Sequence, residues 1–315
     1  LAMLGAVSQG ILWGVMVLGV FITYKLLDIA DLTVDGSFAL GGSVCAVLVV
    51  SGVDPVLAIF AAMLAGMIAG AVTGFLHTVF EIPAILAGIL TQIALWSVNL
   101  RIMGKSNTPL LRVDTLFSSV TDATGLPQNV ASIIVGLIFA ILIIVALYWF
   151  FGTEIGSACR ATGNNEAMVR ALGVDTKVTK MIALTLSNGL VGLSGGLICE
   201  SQGYADIGMG TGAIVIGLAA IVIGEVLGRL TPGKLRSFGS RLTAAVVGSV
   251  VYFLIRAIVL QLGMDANDMK LISAVIVALA LCIPVVWEKY QLRRAYARSA
   301  KAAPATPAAN SEGGR

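Results

Sequence analysis

Charge is scarce in this sequence: of 315 residues only 12% are Asp, Glu, Lys or Arg. Soluble domains carry about 25%, so a water-facing globule is excluded. With 58% hydrophobic residues and a mean hydropathy of +0.97, the chain is built for lipid. Its net charge of +3 requires no nucleic-acid partner, because the excess is what cytoplasmic loops of a membrane protein retain. Cysteine is sparse too. Cys45, Cys159, Cys199 and Cys282 lie without the close pairs that zinc or redox motifs use, so they read as small apolar packing residues and no metal site is expected. A basic leader segment with a clear cleavage site is also missing ahead of the first apolar stretch, which reads as a retained span.

What is there is a succession of apolar runs. Seven are long enough to cross about 30 Å of hydrocarbon, at about 4–26, 55–79, 83–103, 130–151, 178–200, 242–261 and 271–287, and two are short, about 37–51 and 213–227. The fold expected is an all-α polytopic membrane protein of about nine transmembrane segments. Nine crossings put the two ends on opposite sides. If the C-terminus is cytoplasmic, inside segments hold fifteen Lys and Arg and outside segments four. That asymmetry orients the chain with its N-terminus outside, leaving Arg256 within a span, near its outer end, where it can snorkel. The permease domain covers 1–301. From 302 to 315 the sequence AAPATPAANSEGGR is low in complexity and reads as a disordered cytoplasmic tail.

Residues 228–235, GRLTPGKL, begin like a phosphate-binding G-x-x-x-x-G-K. The following residue is Leu235 where the pattern needs a magnesium-holding hydroxyl, and no strand precedes it. The segment reads as a basic turn, so ATP and Mg²⁺ would be bound by another chain and this one carries no cofactor.

The two short runs are approached alike. A long span leads into DIADLTVDGSFALGG at 28–42, and another into SQGYADIGMGTGAIVIGL at 201–218. Each unit, about 4–103 and 178–287, is span, polar Gly-containing break, short run, two spans, in opposite orientations. Inverted repeats with interrupted helices point to a transport pathway, and a break at membrane depth must be buried in protein or line a wet cavity. The alternative is a pair of interfacial loops. Candidate pathway residues are Asp31, Thr33, Asp35 and Ser37 at the first break, Tyr204 and Asp206 at the second, and the intraspan polar residues Gln92, Asn99 and Asn188, for which interhelical hydrogen bonding is an equal explanation. Trp13 and Trp96 are candidates for stacking on an aromatic substrate.

Between the units, 152–180 is the largest internal polar segment. Asn164 or Asn165 can cap a short helix, with Glu166 in its first turn and Gly173 at its end. The helix would carry Ala167, Met168, Ala171 and Leu172 on one side, an apolar face suited to a partner's groove.

The run Arg160, Ala161, Gly163, Asn165, Glu166, Ala167, Gly173, followed by SNGLVGLSGGL, resembles the coupling region of permease subunits from bacterial ABC importers of the ribose and branched-chain amino acid permease family. The resemblance extends through GTGAIVIGLAAIVIGE and DLTVDGSFALGG, covering roughly 10–287. The DIADLTVDGSF form is similar to the branch labelled tryptophan or tyrosine permeases. Relatives often carry Gly-Gly where this chain has Gly224-Glu225. The resemblance implies a homodimer in the bacterial cytoplasmic membrane, separate cytoplasmic ATPase subunits and an extracytoplasmic solute-binding protein. Its substrate would be a small polar solute, an aromatic amino acid first, a sugar or nucleoside next. By the same resemblance, Arg160, Asn164, Asn165, Glu166, Met168, Arg170 and Leu172 would contact the ATPase.

Two rivals remain. Ser194 in G-x-S-G and the one histidine, His77, could form an intramembrane protease dyad, but they fall at opposite ends of their spans. An ion-coupled carrier needs an acid deep in a span, and most acids here sit at ends or breaks. No catalytic residue is expected.

Overall fold

The computed structural model describes residues 2–111, 113–230, 237–262, 271, 273–279, 282 and 289. Seven of its helices are long and apolar enough to cross a membrane. Unit one contains α1 (Ala2–Phe21), extended by a π-helical turn at Ile22–Leu26, then α2 (Thr33–Val50), α3 (Pro55–Thr78) and α4 (Ala84–Met103). A short strand β1 (Asn107–Pro109), α5 (Leu116–Thr124), α6 (Gln128–Phe150), α7 (Glu154–Asn164) and α8 (Glu166–Ala171) follow. Unit two contains α9 (Thr176–Gln202), β2 (Tyr204–Asp206), α10 (Ala213–Leu230) and α11 (Phe238–Gln261). Residues 273–279 are helical. The rest of the expected span at 271–287, most of GRLTPGKL and the tail lie outside the described residues.

The hydroxyl of Ser194 donates to the Leu12 carbonyl at 2.9 Å and that of Ser187 to Gly19 at 2.7 Å, so α9 lies antiparallel to α1. Ser37 bonds Asn188 and Cys45 bonds Glu200, which sets α2 parallel to α9. Gly217 meets Val20, and Lys25 pairs with Glu225 at 2.9 Å, so α10 runs with α1. Each unit therefore sends out a long helix and returns a second one that lies against the long helix of the other unit, α2 on α9 and α10 on α1, and the two units point opposite ways. They also interlock. Gly66 and Gly70 of α3 lie on the α9 backbone at Asn188 and Leu184, while Gly10 and Gly14 of α1 lie on Val250 and Val246 of α11. A Cβ at Gly66 would overlap the Asn188 carbonyl; small residues are what let these backbones approach.

Burial follows from this arrangement. Helices α1, α2 and α9 form the centre, whereas α3, α4, α6 and α11 each turn a broad apolar face outward, with Leu57, Ile68, Ile93, Leu142 and Val247 among the exposed residues. Such faces suit lipid. Two ends can be distinguished: one carries α7 and α8, the other the antiparallel β1–β2 ribbon, in which Thr108 faces Ala205.

Several expectations change in detail. The short run at 37–51 is the visible part of an 18-residue helix that starts at Thr33. Cys45, Cys159 and Cys199 are buried as packing residues, but Cys282 is exposed. Asn164 is the last residue of α7, an element not anticipated, so it does not cap α8; Asn165 does, accepting from the Met168 amide at 3.0 Å.

Candidate functional site

The first break does not lie at a face of the bundle. After the π-turn, Asp28 takes a left-handed backbone (φ 54°) and the chain folds back inward. Asp31, 2% exposed, accepts from the Thr33 amide at 2.9 Å and from Asn188 Nδ2 at 2.7 Å, halfway along α9. Asn188 Oδ1 accepts from Ser37 at 2.7 Å, and the Thr33 and Thr73 hydroxyls bond at 2.8 Å. Asp31, Thr33, Ser37 and Asn188 thus form one buried cluster, built from both units. A buried carboxylate is tolerated only when such donors replace water.

The second break enters from the ribbon end. Gly203 and Gly212 adopt φ values of 77° and 83°, a conformation that glycine reaches without penalty. Between them the chain descends to meet α2: the Asp35 carboxylate accepts from the amides of Gly212 at 2.9 Å and Ile214 at 3.0 Å. These are the first amides of α10, which a helix cannot satisfy by itself, and the negative charge complements its dipole. A residue of unit one therefore caps the returning helix of unit two. Glu200, at the far end of α9, ties elements together in the same way, accepting from the Leu116 amide of α5 at 2.8 Å and from the Cys45 thiol at 3.3 Å.

Gln92 and Asn99 line a small recess of about 40 Å³ with Asp35, Trp96 and Thr211. Asn99 Nδ2 reaches the Gly36 carbonyl at 3.5 Å, and its buried Oδ1 has no partner among the described residues. Tyr204 and Asp206 stand apart from this cluster. They border a cavity of about 860 Å³, together with Gln9, Trp13, Phe38 and Arg256. The two tryptophans singled out in the sequence thus face different spaces, Trp13 the large cavity and Trp96 the small recess. Arg256, Gln9 and Gln202 carried no sequence signal beyond being polar in or beside a span, and only the packing of α1 against both α9 and α11 gathers them.

At the opposite end, Glu166 accepts from Lys180 at 2.7 Å, Arg170 at 2.9 Å and Thr176 at 3.0 Å. Lys180 in particular holds its carboxyl below the usual range, with Thr176 and Arg170 adding to the effect. Arg170 is thereby occupied within the chain. Arg160 stacks on the Phe238 ring at 5.5 Å and faces the bundle. Met168 (52%) and Leu172 (73%) are exposed. Burial pushes the Cys159 thiol of α7 up to about 11, so it is unreactive at neutral pH.

The protease dyad is not assembled. Ser194 is fully buried and donates to Leu12, while His77 Nδ1 bonds the Ile82 carbonyl at 2.8 Å. His77 lies at the α7–α8 end of α3, where Gly74 meets Met181, 13 residues from Ser194 along α9. Among the described residues no group of His, Cys, Asp and Glu could hold a metal ion.

Residues 2–282 match the protein family described as branched-chain amino acid transport system / permease component. The chain is 38% identical over 274 residues to a tyrosine transport system permease protein of Clostridioides difficile (strain R20291), covering 87% of this chain and 88% of that one. It is 32% identical over 278 residues to an uncharacterised protein of Rickettsia prowazekii (strain Madrid E), covering 88% and 95%. Over 168 residues it is 30% identical to the ribose import permease protein RbsC of Escherichia coli (strain K12), covering 52% and 50%. No solved structure matches.

Proposed function

We propose, from the premise that this chain belongs to the branched-chain amino acid permease family of ABC importers and is a transport subunit rather than an enzyme, that it works as a homodimer importing an aromatic amino acid. Two cytoplasmic ATPase subunits bind ATP and Mg²⁺, this chain binding neither, and a solute-binding protein delivers substrate from outside. The Lys and Arg asymmetry supports a cytoplasmic membrane orientation with the N-terminus outside, α7 and α8 on the ATPase side and the ribbon on the binding-protein side.

The observation that carries this reading is the exposed apolar face of α8. Met168 and Leu172 face away from the bundle on a helix whose base is fixed by Glu166, Lys180 and Thr176. A firmly seated helix with bare apolar side chains is what a groove on another protein needs. Burying each would contribute roughly 1.5–3 kcal/mol. Glu166 and Asn165 shape the helix, and Arg160 anchors α7 to Phe238. Replacing both Met168 and Leu172 with Asp should release the ATPase on co-purification and abolish uptake together, with the membrane subunit still inserted and dimeric. Undiminished co-purification would make 152–180 a connecting segment only.

The aromatic substrate is supported by the greater identity and coverage of the tyrosine permease relative. A sugar is the second reading, carried by the likeness to the ribose permease. Uptake by proteoliposomes of the whole complex, offered labelled tyrosine, phenylalanine and ribose, separates the two. At the pathway, the Asp31–Asn188 cluster and the Asp35 cap support a hinge between the units, with Gln92, Asn99, Tyr204 and Asp206 beside the solute's route.

A further inference from the structure

Arg256 lies within α11, a helix apolar enough to cross a membrane. Among the described residues its guanidinium makes no ion pair and no hydrogen bond; its contact is the Phe253 ring, 5.7 Å away. A cation in a span is costly and ordinarily finds an acid or marks a solute's path. It is also only part exposed and borders the 860 Å³ cavity. Asp206, on the same cavity, accepts one bond from the Gly208 amide at 2.8 Å and has no cationic partner among the described residues. Opposite charges therefore line one space without neutralising each other. The same cavity has an aromatic lining of Trp13, Phe38 and Tyr204, and Trp13 packs on Phe38 at 4.7 Å and on Phe253 at 5.5 Å.

We infer that this cavity is a transit site for a zwitterionic amino acid with an aromatic side chain, Arg256 holding the carboxylate, Asp206 the ammonium group and Trp13 the ring. The assignment rests on the permease reading above and names the site it lacks. A neutral sugar would leave both charges uncompensated, whereas a zwitterion supplies the complement of each. Arg is suited to the carboxylate because its planar fork presents two parallel donors. The cavity volume lies within the roughly 300–1,000 Å³ of small-molecule sites. The remaining claimant for the guanidinium is a lipid phosphate, reached by snorkelling.

The test uses the whole complex with its ATPase in nanodiscs, with Trp96, Trp149 and Trp287 replaced by Phe, and a matched Trp13→Phe sample whose signal is subtracted to give the Trp13 contribution. Titration with L-phenylalanine should give a saturable change in Trp13 fluorescence. Arg256→Gln should weaken the apparent affinity roughly tenfold or more, the loss of a charge-assisted bond, and Asp206→Asn should weaken it as well. Arg256→Lys, which keeps the charge and loses the fork, should restore only part of it. Phenethylamine, which lacks the carboxylate, and ribose should give no response. Each variant is first shown to elute as the intact complex. Affinity unchanged in Arg256→Gln, or an equal response to ribose, would overturn the assignment. So would a Trp13 signal that follows anionic lipid content and ignores phenylalanine. Uptake by the parent complex separates the two levels: import of ribose with no aromatic amino acid ends the functional reading itself, whereas aromatic uptake with an unaltered KM in Arg256→Gln removes this cavity alone.

Discussion

In the first break, the buried polar side chains are matched: Asp31 has Thr33 and Asn188, Thr33 has Thr73, and Asn188 has Ser37. In the second, Tyr204 and Thr211 stand exposed, Asp206 holds a single local amide, and the chain borders open volume. Both breaks interrupt a long helix at the same point of their unit, so their difference is one of satisfaction rather than of topology. A fully bonded polar cluster in a dry interior resists rearrangement, because every bond lost strands a partner. A segment facing water-sized space can exchange protein bonds for solvent or solute. The first break is therefore the fixed side of the junction and the second the side able to yield.

The largest effect should come from Asn188→Leu, which leaves the Asp31 carboxylate buried with one amide. It leaves both Asp31 and the Ser37 hydroxyl short of a partner in the interior, at about 1–3 kcal/mol each, so thermal unfolding of the detergent-solubilised chain should shift down sharply. Asp206→Asn, at the second break, should leave it within about 0.5 kcal/mol. Equal shifts would erase the distinction. Asp35→Ala should come next, at about 1–2 kcal/mol, the scale of a lost helix cap. It should also raise the reactivity of a cysteine placed at Thr211, since the start of α10 loses its tether. Between parent backgrounds, Thr211→Cys should react with a small polar thiol reagent far faster than Ser37→Cys, and its rate should change with the nucleotide state of the complex; matched rates would mean that both breaks are closed.

The smallest effect concerns pH at α8. Glu166 is held below the ordinary carboxylate range by Lys180. Its contribution is therefore present above about pH 4.3 and lost as pH falls through the depressed value. Exposure keeps it below about 1 kcal/mol. A thermal midpoint that drops on acidification in the parent, but less in Glu166→Gln, would record it.

The long helices were legible because a span of lipid demands about twenty apolar residues, and runs such as 55–79 and 130–151 meet that demand without help. The start of α2 was not. Thr33 and Asp35 look like residues that end an apolar run, and only the amides of Gly212 and Ile214, far along the chain in the other unit, show why a carboxylate can stand there. Asn188 was visible as an intraspan amide, yet its two partners lie in the other unit, at and just before α2. For α8 the capping signal sufficed, with Asn165 and Glu166 adjacent to the helix they shape. The preceding α7 was missed because its buried face, Gly156, Cys159 and Thr162, is built of small residues, and the ribbon because three residues a strand are too few to show alternation; α7 is ordered by contacts of Arg160 and Gly163 with α11 and the end of α1.

The bond from Asn188 to Asp31 joins residues 157 positions apart, and that interval has a meaning for synthesis. A ribosome adding about 5–20 residues per second presents Asp31 roughly 8–30 s before its partner exists. Within that time α3 and α4 emerge and supply Thr73 and the Gly88 backbone beside the segment, but Asp31 still lacks its Asn188 donor. The insertion machinery, rather than the bilayer, must shelter residues 27–36 until α9 arrives. A truncation ending before α9 should stay bound at the translocon, and the first unit expressed alone should fail to accumulate in the membrane.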